Sequence, residues 1–302
     1  MPDVIISVLK VIRHHMVFKG YAFIVAAAVL WGMIGPFSRL AFQEGISPME
    51  VAFWRALLAW ILFGGHAMIR HEVSLHRKDV PYILVFGICG VSLFYFVYQM
   101  AVKQGGAALA AVLLYTAPVW VIVLSRIFLK ESITPTKVLA MVLTLIGISA
   151  ISMGRDAGHG GSPISVSAII FGLSSGFCYS LYYIFGKYFS GRYSSYNLFL
   201  YVLPIGALGL LPWVTFTPKT PTAWLSLIAL VVICTYGANS CYYLGLKYLD
   251  AGRASITATL EPVVAAAIAY FWWGEVFTVQ SYMGSAVILS AVVLMIRSGE
   301  KQ

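Results

Sequence analysis

The chain carries 18 tyrosines, and several recur at helical spacing inside apolar sequence. Tyr95, Tyr98 and Gln99 share one helical face, because residues three and four apart are neighbours there. Tyr236, Asn239, Ser240, Tyr242 and Tyr243 form a second stripe. Tyr115, Thr116 and Trp120, with Tyr179 and Tyr182, extend the set. Ring faces beside a few hydroxyls suit an amphipathic solute, since they hold an apolar side chain or an ammonium group. The alternative for each residue is structural, because polar groups in apolar helices also bond neighbouring helices.

Glu261 is the most expensive residue. It lies near the middle of an apolar stretch, where a charged group costs about 2.5–3.5 kcal/mol on insertion scales. It reads either as a proton site or partner for a substrate amine, or as a protonated acid bonding backbone freed by Pro262. On the functional reading, Glu261→Gln alters transport or its pH dependence. Pro118 and Pro262 each remove a helix hydrogen bond mid-stretch and predict kinks, which serve as hinges or shape a cavity. Arg55 reads as a snorkelling or helix-pairing cation before a carboxylate clamp. Glu131 and Glu275 stand at stretch ends, where capping is the expected role.

Enzyme signals fail on context. Gly172-Leu-Ser-Ser-Gly176 matches G-x-S-x-G but lacks the strand–turn–helix setting, and reads as a small-residue packing face. His71-Glu72…His76 misses H-E-x-x-H by one position, so its histidines do not share a helical face. Cys89, Cys178, Cys234 and Cys241 read as core thiols, without a C-x-x-C pair. No catalytic residue, metal, cofactor or ATPase partner is therefore expected, and energy must come from gradients or from the solute.

The elements that position these residues follow from composition. Of 302 residues, 60 % are apolar and 10 % charged, and mean hydropathy is +0.87. Soluble domains are about half apolar and a quarter charged. A helix needs about 20 apolar residues to cross the hydrocarbon. Ten such stretches are present, at 20–42, 49–69, 81–102, 106–128, 135–153, 164–189, 195–215, 222–246, 253–274 and 277–297. Ser47-Pro48, Thr134-Pro135, Ser162-Pro163 and Thr220-Pro221 mark helix starts. The fold class is thus an all-α integral membrane protein with ten transmembrane helices.

Net charge is +9, and its placement gives the topology. With the N-terminus inside, fifteen Lys and Arg fall at cytoplasmic ends and four at outer ends. This positive-inside bias predicts that both termini are cytoplasmic. It assigns the charge to topology and anionic lipid, with the bilayer and not nucleic acid as partner. Trp213, Trp224, Trp272 and Trp273 at outer ends, and Tyr21 and Tyr82 at inner ends, fit aromatic belts. Residues 1–19 are read as a cytoplasmic segment on the inner surface and 298–302 as a cytoplasmic tail.

A shift of 144 residues sets Pro118 on Pro262, Glu131 on Glu275 and Lys103 on Lys247. It also sets Tyr95, Tyr98 and Gln99 on Asn239, Tyr242 and Tyr243, so the stripes occupy opposite halves of the bilayer and together line one route. A slightly larger shift sets Trp31 on Tyr179. Residues 20–153 and 164–297 are read as two five-helix units, joined by a periplasmic linker at 154–163. Because five is odd, the second copy is upside down, the layout of many secondary transporters.

Ala28-Val29-Leu30-Trp31-Gly32, Phe53-Trp54-Arg55, Pro118-Val119 and Leu129-Lys130-Glu131 are followed by Leu260-Glu261-Pro262-Val263 and Trp273-Gly274-Glu275. In this order the chain resembles the EamA family of the drug/metabolite transporter superfamily, over residues 20–297. Within it, the chain is most similar to bacterial amino-acid exporters of the YddG type. That resemblance implies an inner-membrane location and outward movement of amino acids, aromatic and other neutral ones. The second unit departs from the pattern, lacking a Trp-Gly in its first helix and a match for Arg55. Other substrates in view are small amphipathic metabolites and cationic drugs. A lipid flippase or membrane enzyme would need acids or His clustered at one face, and a channel a continuous polar ring.

Overall fold

The computed structural model describes residues 2–155, 165–274 and 276–300. Ten helices are long and apolar enough to cross a membrane. They are α1 (Met16–Gln43), α2 (Pro48–Ile69), α3 (Arg77–Ala107), α4 (Leu109–Leu129), α5 (Pro135–Ser152), α6 (Val166–Phe189), α7 (Ser195–Trp213), α8 (Pro221–Leu246), α9 (Ala251–Trp272) and α10 (Val279–Ser298). No strand occurs among the described residues. Most of the proposed linker, the end of the tail and Glu275 lie outside the described residues.

Side-chain oxygens start the helices where the sequence marks them. Ser47 accepts from the Glu50 N–H and Thr220 from the Ala223 N–H, each with Pro in the first turn. Ser165, Ser194 and Asp250 cap α6, α7 and α9 in the same way. Each cap satisfies one N–H that a helix start leaves without a partner. Pro2–Gly32 is one continuous helix, so the N-terminal segment runs into α1 without a break. Met33 then interrupts α1, and helix resumes at Ile34.

Large apolar side chains such as Ile61, Phe128, Leu208, Leu225 and Phe271 face outward, as a lipid-facing surface requires. Trp213, Trp224, Trp272 and Tyr82 are exposed at helix ends, in the places a belt needs. Tyr21 is a correction: it is buried and donates its hydroxyl to the Met295 carbonyl at 2.7 Å. It ties α1 to α10, because a phenol facing the bundle finds a backbone acceptor there.

Packing joins the two halves. The dominant neighbours are α5 with α10, α2 with α7, α1 with α8, and α3 and α4 with α6. Exchanging the halves leaves the α5–α10 and α2–α7 pairings in place and turns α1–α8 into α6–α3, as a two-fold related duplication requires. The close approaches use glycine. A Cβ on Gly147 would meet the Gly284 carbonyl oxygen at 2.7 Å, and one on Gly284 would meet the Gly147 carbonyl oxygen at 2.5 Å. On α6, a Cβ at Gly172 would fall 2.4 Å from Leu113. The Gly172–Gly176 stretch is therefore a packing face, as its small residues predict.

Local backbone geometry repeats as well. Phe86–Leu93 in α3 and Leu230–Gly237 in α8 are both π-helical, and a shift of 144 superposes them. In α4, helix ends at Leu114 and restarts at Ala117. In α9, it ends at Ala258 and restarts at Glu261. The same shift superposes these breaks. Pro118 and Pro262 thus occupy the first turn of a new helical segment, where a missing N–H costs least. They do not kink an unbroken helix; the break precedes each of them.

The bundle has two ends of different character. At the basic end, the Asp79 carboxylate accepts from Arg192 at 2.9 and 3.1 Å and from Tyr193 at 2.6 Å. Burial, then the bond given to Asp79, raises the pKa of Tyr193 above its ordinary value. Nearby, Lys187 donates to the Leu246 and Leu249 carbonyls at 2.7 and 2.6 Å. At the opposite end, Lys219 meets buried Glu50 at 2.5 Å. Glu50 also accepts from the Thr217 hydroxyl at 2.9 Å.

Candidate functional site

Aromatic residues from both halves form one connected set. Phe94 connects its members on α3: its ring lies 5.0 Å from Tyr95 and 6.2 Å from Tyr98. It also stacks on Tyr179 of α6 at 5.5 Å. Tyr179 continues to Tyr182 at 6.3 Å and to Tyr183 at 5.5 Å. Tyr183 reaches Tyr242 of α8 at 5.4 Å, and Tyr242 meets Trp31 of α1 at 5.3 Å. Four helices from both halves thus share one aromatic chain. Its T-shaped and offset contacts are the arrangements ring quadrupoles prefer.

Glu261 joins this chain through its acid. It opens the second segment of α9, and Tyr115, in the α4 break, lies within electrostatic reach of it. Tyr98, Tyr179 and Tyr183 lie within electrostatic reach of it. So does Arg55, whose Nε donates to the Thr235 hydroxyl at 3.3 Å. Arg55 therefore pairs α2 with α8 and faces the bundle interior, the helix-pairing alternative of the two expected for it.

Accessibility divides the set. Tyr95, Tyr98, Gln99, Tyr115, Tyr179, Tyr182 and Glu261 are half-buried. Toward the basic end the interior is filled: Asn239 is 7 %, Tyr242 1 % and Tyr243 3 % exposed. The hydroxyls of Tyr242 and Tyr243 are buried without a hydrogen-bond partner.

Four residues of the expected set are placed elsewhere. Trp120 meets Phe177 edge-on at 5.5 Å, and Phe177 is exposed on the outer surface; this pair belongs to the α4–α6 contact. Thr116 donates its hydroxyl to the Leu113 carbonyl at 2.6 Å, within the α4 break. Tyr236 packs on Phe63 and hydrogen-bonds His66, whose ring stacks on Tyr196 at 4.1 Å. Ser240 is half-buried on α8 with no ring or hydrogen-bond contact to the chain of tyrosines among the described residues.

Sequence reasoning missed Phe94 and Tyr183, and the inward aim of Arg55. Tyr183 had a signal in its neighbours Tyr179 and Tyr182; Phe94 had none, since it is apolar in an apolar helix. It also missed the contact that closes the basic end. Glu131 accepts from the Ala251 and Gly252 N–H groups at 2.8 and 3.3 Å. It thus caps α9 of the other half, across the bundle. Lys137, itself 3 % exposed, sits 3.2 Å from Asp250 and 4.0 Å from Glu131.

No group of His, Cys, Asp and Glu able to hold a metal occurs among the described residues. What the arrangement offers is a connected set of aromatic rings and phenols on helices of both halves, with one acid within electrostatic reach. A solved crystal structure of the same fold covers 91 % of this chain and 95 % of its own, with a TM-score of 0.79 at 19 % identity. A protein of Archaeoglobus fulgidus named as an uncharacterized transporter is 30 % identical over 91 % of this chain and 95 % of its own. The pseudopaline exporter CntI of Pseudomonas aeruginosa is 26 % identical over 82 % of this chain and 86 % of its own. The EamA-like transporter family matches twice, at residues 18–153 and 166–297, once on each five-helix half, and the chain belongs to that family as a multi-pass membrane transporter.

Proposed function

We propose that the protein is a secondary transporter of the bacterial inner membrane that exports aromatic and other neutral amino acids by alternating access. The basic end, with both termini, faces the cytoplasm on this reading, as the charge bias requires. The observation that carries the proposal is the unequal accessibility of the two tyrosine stripes. Tyr95, Tyr98 and Gln99 are half-buried, while their repeat partners Asn239, Tyr242 and Tyr243 are buried. A carrier closed toward the cytoplasm and open outward has this asymmetry, and an inverted repeat makes the opposite state its near mirror image.

Phenol and indole faces around one acid suit a solute with an apolar side chain and an ammonium group. The buried hydroxyls of Tyr242 and Tyr243 gain water or substrate as partners when that half opens. Pro118 and Pro262, each starting a segment after a break, serve as the hinges. The similarity to an exporter and the resemblance to YddG-type exporters support the direction and the substrate class.

The test is uptake into proteoliposomes against a panel of amino acids, cationic drugs and polar metabolites, with and without a pH gradient. Saturable flux of phenylalanine, tryptophan or other neutral amino acids is expected. Flux of drugs or metabolites with none of any amino acid would replace the substrate assignment.

A further inference from the structure

Of the six histidines in the chain, His66 alone falls inside one of the ten spanning helices. It lies in the last turn of α2, at the basic end, and is half-buried. Groups from two other helices hold its ring. Its Nδ1 shares a hydrogen bond with the Tyr236 hydroxyl of α8. Tyr196 of α7 lies flat against it, with ring centroids 4.1 Å apart and planes inclined by 13°. The Tyr196 hydroxyl donates in turn to the Glu72 carboxylate at 3.5 Å. Tyr196 and Glu72 line an open cavity of about 230 Å³ at the basic end, with Lys247 and Arg192 on its wall. On its other side the cluster abuts the filled part of the bundle. Tyr236 packs on Phe63 at 4.8 Å, Phe63 on Phe199 at 4.9 Å, and Phe199 on Tyr243 at 5.2 Å. His66 and Tyr196 thus stand between a cavity at the basic end and the buried tyrosine stripe.

We propose that His66 is a proton-operated latch on an entrance between α2, α7 and α8: the imidazolium holds the entrance shut, and the neutral ring lets it open. The proposal rests on the alternating-access reading above and adds the group that makes the basic end answer to pH. Imidazole is the side chain that ordinarily changes charge between pH 5 and 8. The titratable groups around it are Tyr236 on α8, Tyr196 on α7 and, beyond Tyr196, Glu72 in the loop after α2. The cations Lys247 and Arg192 lie farther out, on the cavity wall. A proton on His66 adds cation–π attraction to the Tyr196 stack and attraction toward Glu72, so it binds α2 to α7 more firmly. The shift that superposes the π segments sets Tyr236 on Ser92, which bonds the Gly206 backbone instead. The duplication therefore does not repeat this latch.

The test is exchange of labelled phenylalanine across proteoliposomes holding the full chain, buffered to the same pH on both faces. The range is about pH 5.5–7.5, over which phenylalanine itself stays zwitterionic and an ordinary imidazole goes from about nine-tenths to about one-tenth protonated. Wild-type exchange therefore rises up to about ninefold across it. His66→Gln and His66→Phe take up no proton and give flat profiles; the Phe variant keeps the stack on Tyr196. Glu72→Gln removes an acid that favours the imidazolium and moves the midpoint to lower pH.

A wild type that exchanges phenylalanine equally well at every pH would overturn the latch while leaving amino-acid export standing, and this arm needs no variant to fold. A His66→Gln or His66→Phe profile that rises as the wild type does would overturn it too. If both His66 variants are inactive, Glu72→Gln decides, and an unmoved midpoint overturns the proposal. A wild type that exchanges no amino acid at any pH would instead remove the parent reading.

Discussion

Lys137 sits between Glu131 and Asp250, two acids that meet where the first half of the chain touches the second, and Arg253 pairs with Asp250 from its other side at 3.2 Å. Lys137→Met keeps the length and apolar stem of the side chain and deletes its charge. Removing one partner of a buried ion pair costs about 3–5 kcal/mol. Asp250 keeps 26 % of its side chain exposed, and solvent screening reduces the figure to about 2 kcal/mol. If the contact exists only while the basic end is closed, the whole of it shifts the closed–open equilibrium. At 1.4 kcal/mol per decade, that is about 30-fold toward the open state. Thr259 reports the change. It is 2 % exposed and lies eight residues beyond Ala251, about 12 Å deeper at 1.5 Å per residue. In a background with the four native cysteines replaced by Ala, Thr259→Cys reacts slowly with an impermeant maleimide in inside-out vesicles. Adding Lys137→Met speeds that labelling about 30-fold, while Ser226→Cys, buried near the opposite end, stays slow. An unchanged rate at Thr259, or equal acceleration at both sites, would show that Lys137 does not hold this end shut.

Pro118→Ala and Pro262→Ala together, if the breaks act as hinges, leave the protein folded by thermal melting but lower transport at least about tenfold; normal flux would make the breaks static. Glu50→Ala strands Lys219, which lies 2.5 Å away and is nearly buried, and lowers stability by about 3 kcal/mol. The double variant with Lys219→Met loses less than the sum of the single changes, measured as melting in detergent. Gly147→Val forces a side chain against the Gly284 carbonyl and destabilises the α5–α10 contact by about 1–3 kcal/mol, seen as a lower melting temperature. Tyr193→Phe removes the bond to Asp79 and costs about 1.5 kcal/mol near pH 8. The phenol is raised in the folded state, so its stabilisation is full below about pH 10 and fades above it; the melting gap between wild type and variant narrows as pH rises through that range.

The ten helices were legible because twenty-residue apolar runs bounded by Ser-Pro and Thr-Pro admit few other structures. The duplication was legible because Pro118, Glu131 and Lys103 recur at one fixed shift. The π segments were not, since their register depends on neighbours distant in sequence. Ser92, for example, donates to the Gly206 carbonyl at 2.9 Å, and Gly87 sits against Ile205. The same limit explains Trp120 and Tyr236. Helical spacing shows that residues share a face, but which neighbour covers that face is settled by packing. Tyr21 fell outside its expected belt for this reason, its hydroxyl finding Met295 of the last helix. Arg55 shows the converse, a charge near a helix end that turns inward because Thr235 offers it an acceptor.

The cluster of Lys137, Glu131 and Asp250 at the basic end is not repeated by the duplication. Under the repeat shift, Lys137 corresponds to Ser281, Asp250 to Gly106 and Arg253 to Leu109, so only the acid pair Glu131 and Glu275 is kept. The two ends of the molecule are therefore copies in shape held by different ion pairs. On the proposed alternating-access cycle, a stronger grip at the basic end would leave the empty carrier resting with that door shut and make reopening inward its slow stroke.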